Sequence, residues 1–168
     1  MSIEDNHHVE WLAGFMREVS RLVEPMFDEM GSVLPTCWFV TAEDVEHVLF
    51  DDTNIATKDA FAASLDAFEA SLRKYISEND VICYACVTRA LMKRVTAKGG
   101  GILLVRPPEE TIDTLNILAE DRQQTISGFR RIIQPAQGER PYLGELEMND
   151  GVFYSRFGNL LCPRAAHQ

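Results

Sequence analysis

Apolar residues recur at alternating spacings of three and four from Val9 through Leu12, Met16, Val19, Val23 and Met26 to Met30. That is the period of one face of an α-helix. Phe15, Leu22 and Phe27 widen the stripe. The pattern predicts a long amphipathic helix that Asp5 or Asn6 can cap and Gly31 can end. Pro25 lies inside it, removes one intrahelical hydrogen bond, and is expected to kink or split the helix. Phe61, Leu65, Phe68, Leu72 and Tyr75 form a second stripe in alanine-rich sequence. Thr57 or Asp59 can cap this second helix, which should stop near Asn79.

Elsewhere the period shortens to that of strands. Cys37–Thr41 and Glu46–Phe50 flank Ala42-Glu43-Asp44 and predict a hairpin. Val81–Val87 is β-branched and aromatic and reads as a strand, whereas its continuation to Val95 fits strand or helix equally. Gly99-Gly100-Gly101 breaks the pattern, and Ile102–Val105 is a short apolar segment stopped by Pro107-Pro108. Thr111–Glu120 and Thr125–Gln134 predict an antiparallel hairpin with Leu115 and Ile117 inward. Phe129, Arg131 and Ile133 then share a face, so Arg131 must lie at an edge or find a carboxylate. Leu146-Glu147-Met148 and Val152-Phe153-Tyr154 around Asn149-Asp150-Gly151 give a weak hairpin signal.

The expected fold is α+β: a two-layer domain with a largely antiparallel sheet of about five strands, two main helices and an irregular C-terminal arm. Its element order, α-β-β-α-β-β-β, is similar to that of profilin-like and Roadblock-type domains. That analogy of order implies no function.

Composition narrows the setting. At 168 residues the chain is expected to form one domain over 1–168, with 1–6 and 163–168 frayed. An apolar fraction of 46% and a charged fraction of 25% are ordinary globular usage. A net charge of −10 repels phosphate backbones and anionic membranes, so neither nucleic acid nor membrane is an expected partner. Two basic stretches, Arg89-Lys93-Arg94-Lys98 and Arg130-Arg131, run against that charge and read as solvated faces. Met1-Ser2-Ile3-Glu4-Asp5 has no basic or apolar region of a signal peptide, which predicts a cytoplasmic protein with its four cysteines as thiols.

The candidates for chemistry are sparse. Cys83-x-x-Cys86 has no second ligand pair, and positions three apart on a strand point to opposite faces, so a zinc or redox site is not expected. His7, His8, His47 and His167 are scattered. The doublets Glu43-Asp44, Asp51-Asp52, Glu109-Glu110 and Glu120-Asp121 are expected from the acidic composition alone. The glycine triplet lacks the residues of a phosphate loop or a dinucleotide fingerprint. No cofactor and no metal is expected.

The leading functional expectation is a non-enzymatic homodimer with room for a protein partner. Its interface would use Leu12, Phe15, Met16, Val19, Leu22 and Val23, because a broad stripe can serve both a sheet and a partner. The competing reading of those residues is core. The second functional expectation is a small-molecule binding or catalytic domain, with a pocket between the sheet and the second helix and Trp38, Tyr84 and Arg106 as contacts.

Overall fold

The computed structural model describes residues 3–50, 57–93, 111–149 and 155–161. Arg94, Lys98, the glycine triplet, Ile102–Val105, Arg106, Asp51-Asp52, Glu109-Glu110, Val152–Tyr154, Cys162 and 163–168 lie outside the described residues. The elements are α1 (Ile3–Met30), β1 (Thr36–Thr41), β2 (Val45–Leu49), α2 (Lys58–Glu78), β3 (Val81–Lys93), β4 (Thr111–Asp121), β5 (Thr125–Ile133) and β6 (Tyr142–Met148).

The helix ends follow their local chemistry. α1 runs as one helix through Pro25. Gly31, at φ 69°, closes it in the left-handed conformation that glycine adopts without strain, and its N–H donates to Phe27 O at 2.6 Å. Thr57 caps α2, its hydroxyl accepting from Ala60 N at 3.1 Å. Asn79 ends α2, with backbone and side-chain N–H groups both given to Tyr75 O.

The six strands form one antiparallel sheet in the order β2-β1-β3-β4-β5-β6. The expected hairpin of β4 and β5 is present, with Thr114 opposite Arg131 and Glu120 opposite Thr125. Leu115 and Ile117 are fully buried. Arg131 finds its carboxylate on β6, with Nε 2.9 Å from Glu147 Oε2. The segment after Val87 continues as strand to Lys93. β6 is a strand beyond the expected number. The bulge where Thr41 pairs with Val81 and Val40 with Cys83 leaves Ile82 as the extra residue of β3.

The class, the element order and the antiparallel pairing are as expected, but the layers number three rather than two. β1 and β3 are apolar on both faces, so each face needs a cover. On one side Trp38, Cys83, Ala85, Val87, Leu115, Ile117 and Ala119 pack under Leu12, Met16, Val19, Val23 and Phe27 of α1. On the other, Cys37, Phe39, Val81, Tyr84, Cys86 and Leu118 pack under Phe68 and Leu72 of α2. Each large side chain buried in these cores contributes roughly 1.5–3 kcal/mol. Gly128 of β5 admits α1 closely: a Cβ there would lie 3.2 Å from Met16 Sδ and 2.9 Å from Glu147 O.

Arg130 ties α1 to β6 at the end of the sheet. It is 7% exposed. Its guanidinium donates to Gly144 O at 2.6 Å, to Ser20 O at 3.1 Å and to Glu24 at 3.0 Å. These bonds replace the water that a buried cation loses.

Candidate functional site

One of the most heavily bonded polar groups among the described residues, the Glu120 carboxylate, is structural in its geometry. Glu120, at 0% exposure on the α2 side of β4, accepts from Tyr84 Oη at 2.8 Å and Thr125 Oγ1 at 2.7 Å. It also accepts from the backbone N–H groups of Asn159 at 2.6 Å and Leu161 at 2.7 Å. Tyr84 Oη lies 2.7 Å from Phe157 O as well. Burial, then the neighbouring carboxylate, pushes the Tyr84 hydroxyl well above the ordinary tyrosine range, so it stays protonated. The node fastens segment 155–161 over the sheet. Phe157 meets Phe68 edge-on, with ring centroids 5.4 Å apart. Arg156 reaches Asp66 and Glu69 of α2. Sequence reasoning missed this use of Glu120, because three of its partners lie 36 to 41 residues away.

The residues of the expected pocket do not converge. Trp38 belongs to the core under α1, Tyr84 to the core under α2, and Arg106 lies outside the described residues. A cavity of about 230 Å³ does lie between β2 and α2, lined by Val48, Leu49, Ser64, Ala67, Phe68 and Ser71. Among the described residues no charged side chain lines it. At its neighbour Tyr75, a hydrogen bond with Glu46 of β2, reinforced by burial, pushes the hydroxyl up to about 12.

His47 is held rather than poised. Its ring stacks on Trp38, with centroids 4.2 Å apart and planes 6° from parallel. Its Nε2 is hydrogen-bonded to Thr36 Oγ1. Partial burial lowers its pKa below 6.5, which leaves the imidazole neutral at pH 7. The Thr36 hydroxyl also donates to Val48 O at 3.2 Å. With that proton spent, Nε2–H is the donor to Oγ1.

The cysteines sort by face. Cys83 lies on the α1 side and Cys86 on the α2 side, so the CxxC pair diverges as strand geometry requires. The true neighbour of Cys86 is Cys37, directly opposite it on β1, with the sulfurs 2.8 Å apart. Burial, then the bond to Cys86, raises the Cys37 pKa, and burial raises Cys83 to about 12. Cys83 is expected to react with a disulfide reagent at neutral pH about 1000-fold slower than a free cysteine, and Cys37 also more slowly, because the thiolate is the nucleophile. Time-resolved labelling of the folded chain, with peptide mapping, checks this. Fast labelling of Cys37 or Cys83 before unfolding would contradict it.

The helical stripe divides. Leu12, Met16, Val19 and Val23 are 0% exposed beneath α1, so in this chain they are core. Phe15 is half-buried. Leu22 and Trp11 stay open on the flank, and Trp11 stacks on Phe15 at 6.1 Å. Beneath Trp11 a second cavity of about 230 Å³ is lined also by Asp80, Val81, Ile82, Asp121, Arg122 and Gln123. Three arginines of the basic stretches are engaged within the chain: Arg89 with Asp113, Arg130 with Glu24, Arg131 with Glu147. Among the described residues no group of three or more His, Cys, Asp or Glu is placed to hold a metal, and no helix is long and apolar enough to cross a membrane. No protein-family model, no curated protein and no solved structure matches the chain.

Proposed function

We propose that this chain is a non-enzymatic interaction domain that works as a homodimer. The observation that carries the reading is apolar surface left open on one side of the sheet. Trp11, Leu22, Val45 and Leu49 are between 46% and 58% exposed. α1 packs chiefly over β3, β4 and β6 and reaches β1 at Trp38, and Val45 and Leu49 of the outer strand β2 stay exposed on its flank. Apolar side chains grouped in this way mark contact surfaces. The polar groups that chemistry would need are engaged elsewhere: Glu120 holds segment 155–161, Arg130 holds α1, and His47 is stacked and neutral.

Light scattering over a range of concentrations tests the reading. The expected mass is twice 19.0 kDa. A mass of 19.0 kDa at the highest concentration reached overturns it.

The cavity under Trp11 favours a second reading, a small-molecule site with an aromatic wall, Ile82 beside it and Arg122 at the rim. Thermal-shift screening with Trp11 fluorescence as readout tests this. A ligand that raises the melting temperature and quenches Trp11, but not a Trp11→Ala variant, would move this reading to first place.

A further inference from the structure

We infer that the twofold seam of the dimer is the outer edge of β2, which no described strand pairs, joined antiparallel to β2 of a second copy and centred on His47. The inference rests on the homodimer reading and says where the copies meet.

The backbone supplies the register. β2 is an outer strand of the sheet. The hairpin closes with Thr41 N–H donating to Asp44 O, and Phe50 N–H donates to Pro35 O at its far end. In an antiparallel ladder the bonded residues alternate. Asp44, Glu46, Val48 and Phe50 therefore face β1, and the N–H and C=O groups of Val45, His47 and Leu49 face outward. In agreement, Val45 N–H is given not to β1 but to the Asp44 carboxylate, at 2.8 Å. Of the registers open to a five-residue strand, only the one centred on His47 uses all three outward residues in both copies. It pairs His47 with its twin and Val45 with the partner's Leu49, closing about four backbone hydrogen bonds while each Val45 N–H stays on its own Asp44 carboxylate.

The side chains agree with that register. Val45, His47 and Leu49 stand opposite Val40, Trp38 and Thr36, so they share the α1 side of the sheet. Val45 is 53% exposed and Leu49 58%. Self-pairing sets these two against each other at both ends of the seam, which is the self-complementarity an isologous contact needs. Charge favours the same place. In a chain of net charge −10 most surfaces repel their own copy. Among the side chains of that row, Val45, His47 and Leu49, there is no carboxylate, since Glu46 points to the opposite face and bonds Tyr75; the Asp44 carboxylate lies only at the end of the seam, on the Val45 N–H. The other outer strand, β6, presents Glu145 and Glu147, and acidic residues discourage edge pairing. β2 has no lysine or proline to blunt it.

The experiment measures solution mass and far-ultraviolet circular dichroism for the native chain and three variants. Leu49→Pro removes an outward N–H and no bond to β1, which an edge strand tolerates. Val45→Lys places a charge on the seam. Leu22→Lys alters the α1 flank alone. The expected result is a native dimer, folded monomers for Leu49→Pro and Val45→Lys with dissociation constants raised at least about 100-fold, and a dimer for Leu22→Lys. Should Leu49→Pro fail to fold, Val45→Lys carries the test. A native dimer that survives both edge changes, or that Leu22→Lys splits, overturns the seam and leaves the homodimer standing. A native monomer overturns both.

Discussion

Replacing Leu12 and Val19 together by glutamate is expected to unfold the chain rather than to split a dimer. Both side chains are 0% exposed and sit in the core between α1 and the sheet. Among the described residues no uncommitted cation faces them there, since Arg130 is committed to Glu24 and to backbone carbonyls. Burying an unpaired charge belongs to the short list of changes that cost more than about 4 kcal/mol each. Two such costs consume most of the roughly 5–15 kcal/mol that holds a domain of this kind together. Urea titration followed by circular dichroism checks it. The double variant should lack a cooperative transition, and a variant with a native midpoint would show that the stripe is not core. Leu22, on the open flank, should by contrast tolerate lysine within about 0.5 kcal/mol.

Glu120→Ala is expected to destabilise the chain by about 3 kcal/mol. It deletes an acceptor shared by Tyr84, Thr125, Asn159 and Leu161. A hydrogen bond to a charged group is worth roughly 1.5–3 kcal/mol, but the half-buried donors regain part of that from water and Tyr84 keeps Phe157 O. The loss should be local first. Hydrogen exchange should show the amides of Asn159 and Leu161 unprotected while those of β4 and β5 keep their protection. Unchanged protection at both amides would mean that the carboxylate is not what fastens 155–161.

The sequence carried the local features well and the remote ones poorly. Thr57, Asn79 and Gly31 act as caps because capping involves residues within a turn of the helix end. The β4–β5 hairpin was legible because its partners flank a short polar turn. The side of the sheet that each helix covers was not legible: two apolar stripes do not say whether they share a face. That was decided by β1 and β3, whose alternation hides two apolar faces inside what reads as one continuous apolar run. β6 was faint because only Leu143 of the strand is buried. The charged residues were the most misleading. Arg130 looked like part of a solvated pair and Glu120 like part of an acidic doublet. The partners that bury them lie as far as 110 and 41 positions away.

The fastening of segment 155–161 bears on what a shortened chain would be. α1 and all six described strands precede residue 155. A chain released at residue 154 would keep every described residue of the core beneath α1 but lack Phe157 from the core beneath α2. Tyr84 and the Glu120 carboxylate would lose the backbone groups of Phe157, Asn159 and Leu161 that they bond, an exposure that favours aggregation. Such a chain would hold one sealed face and one open one.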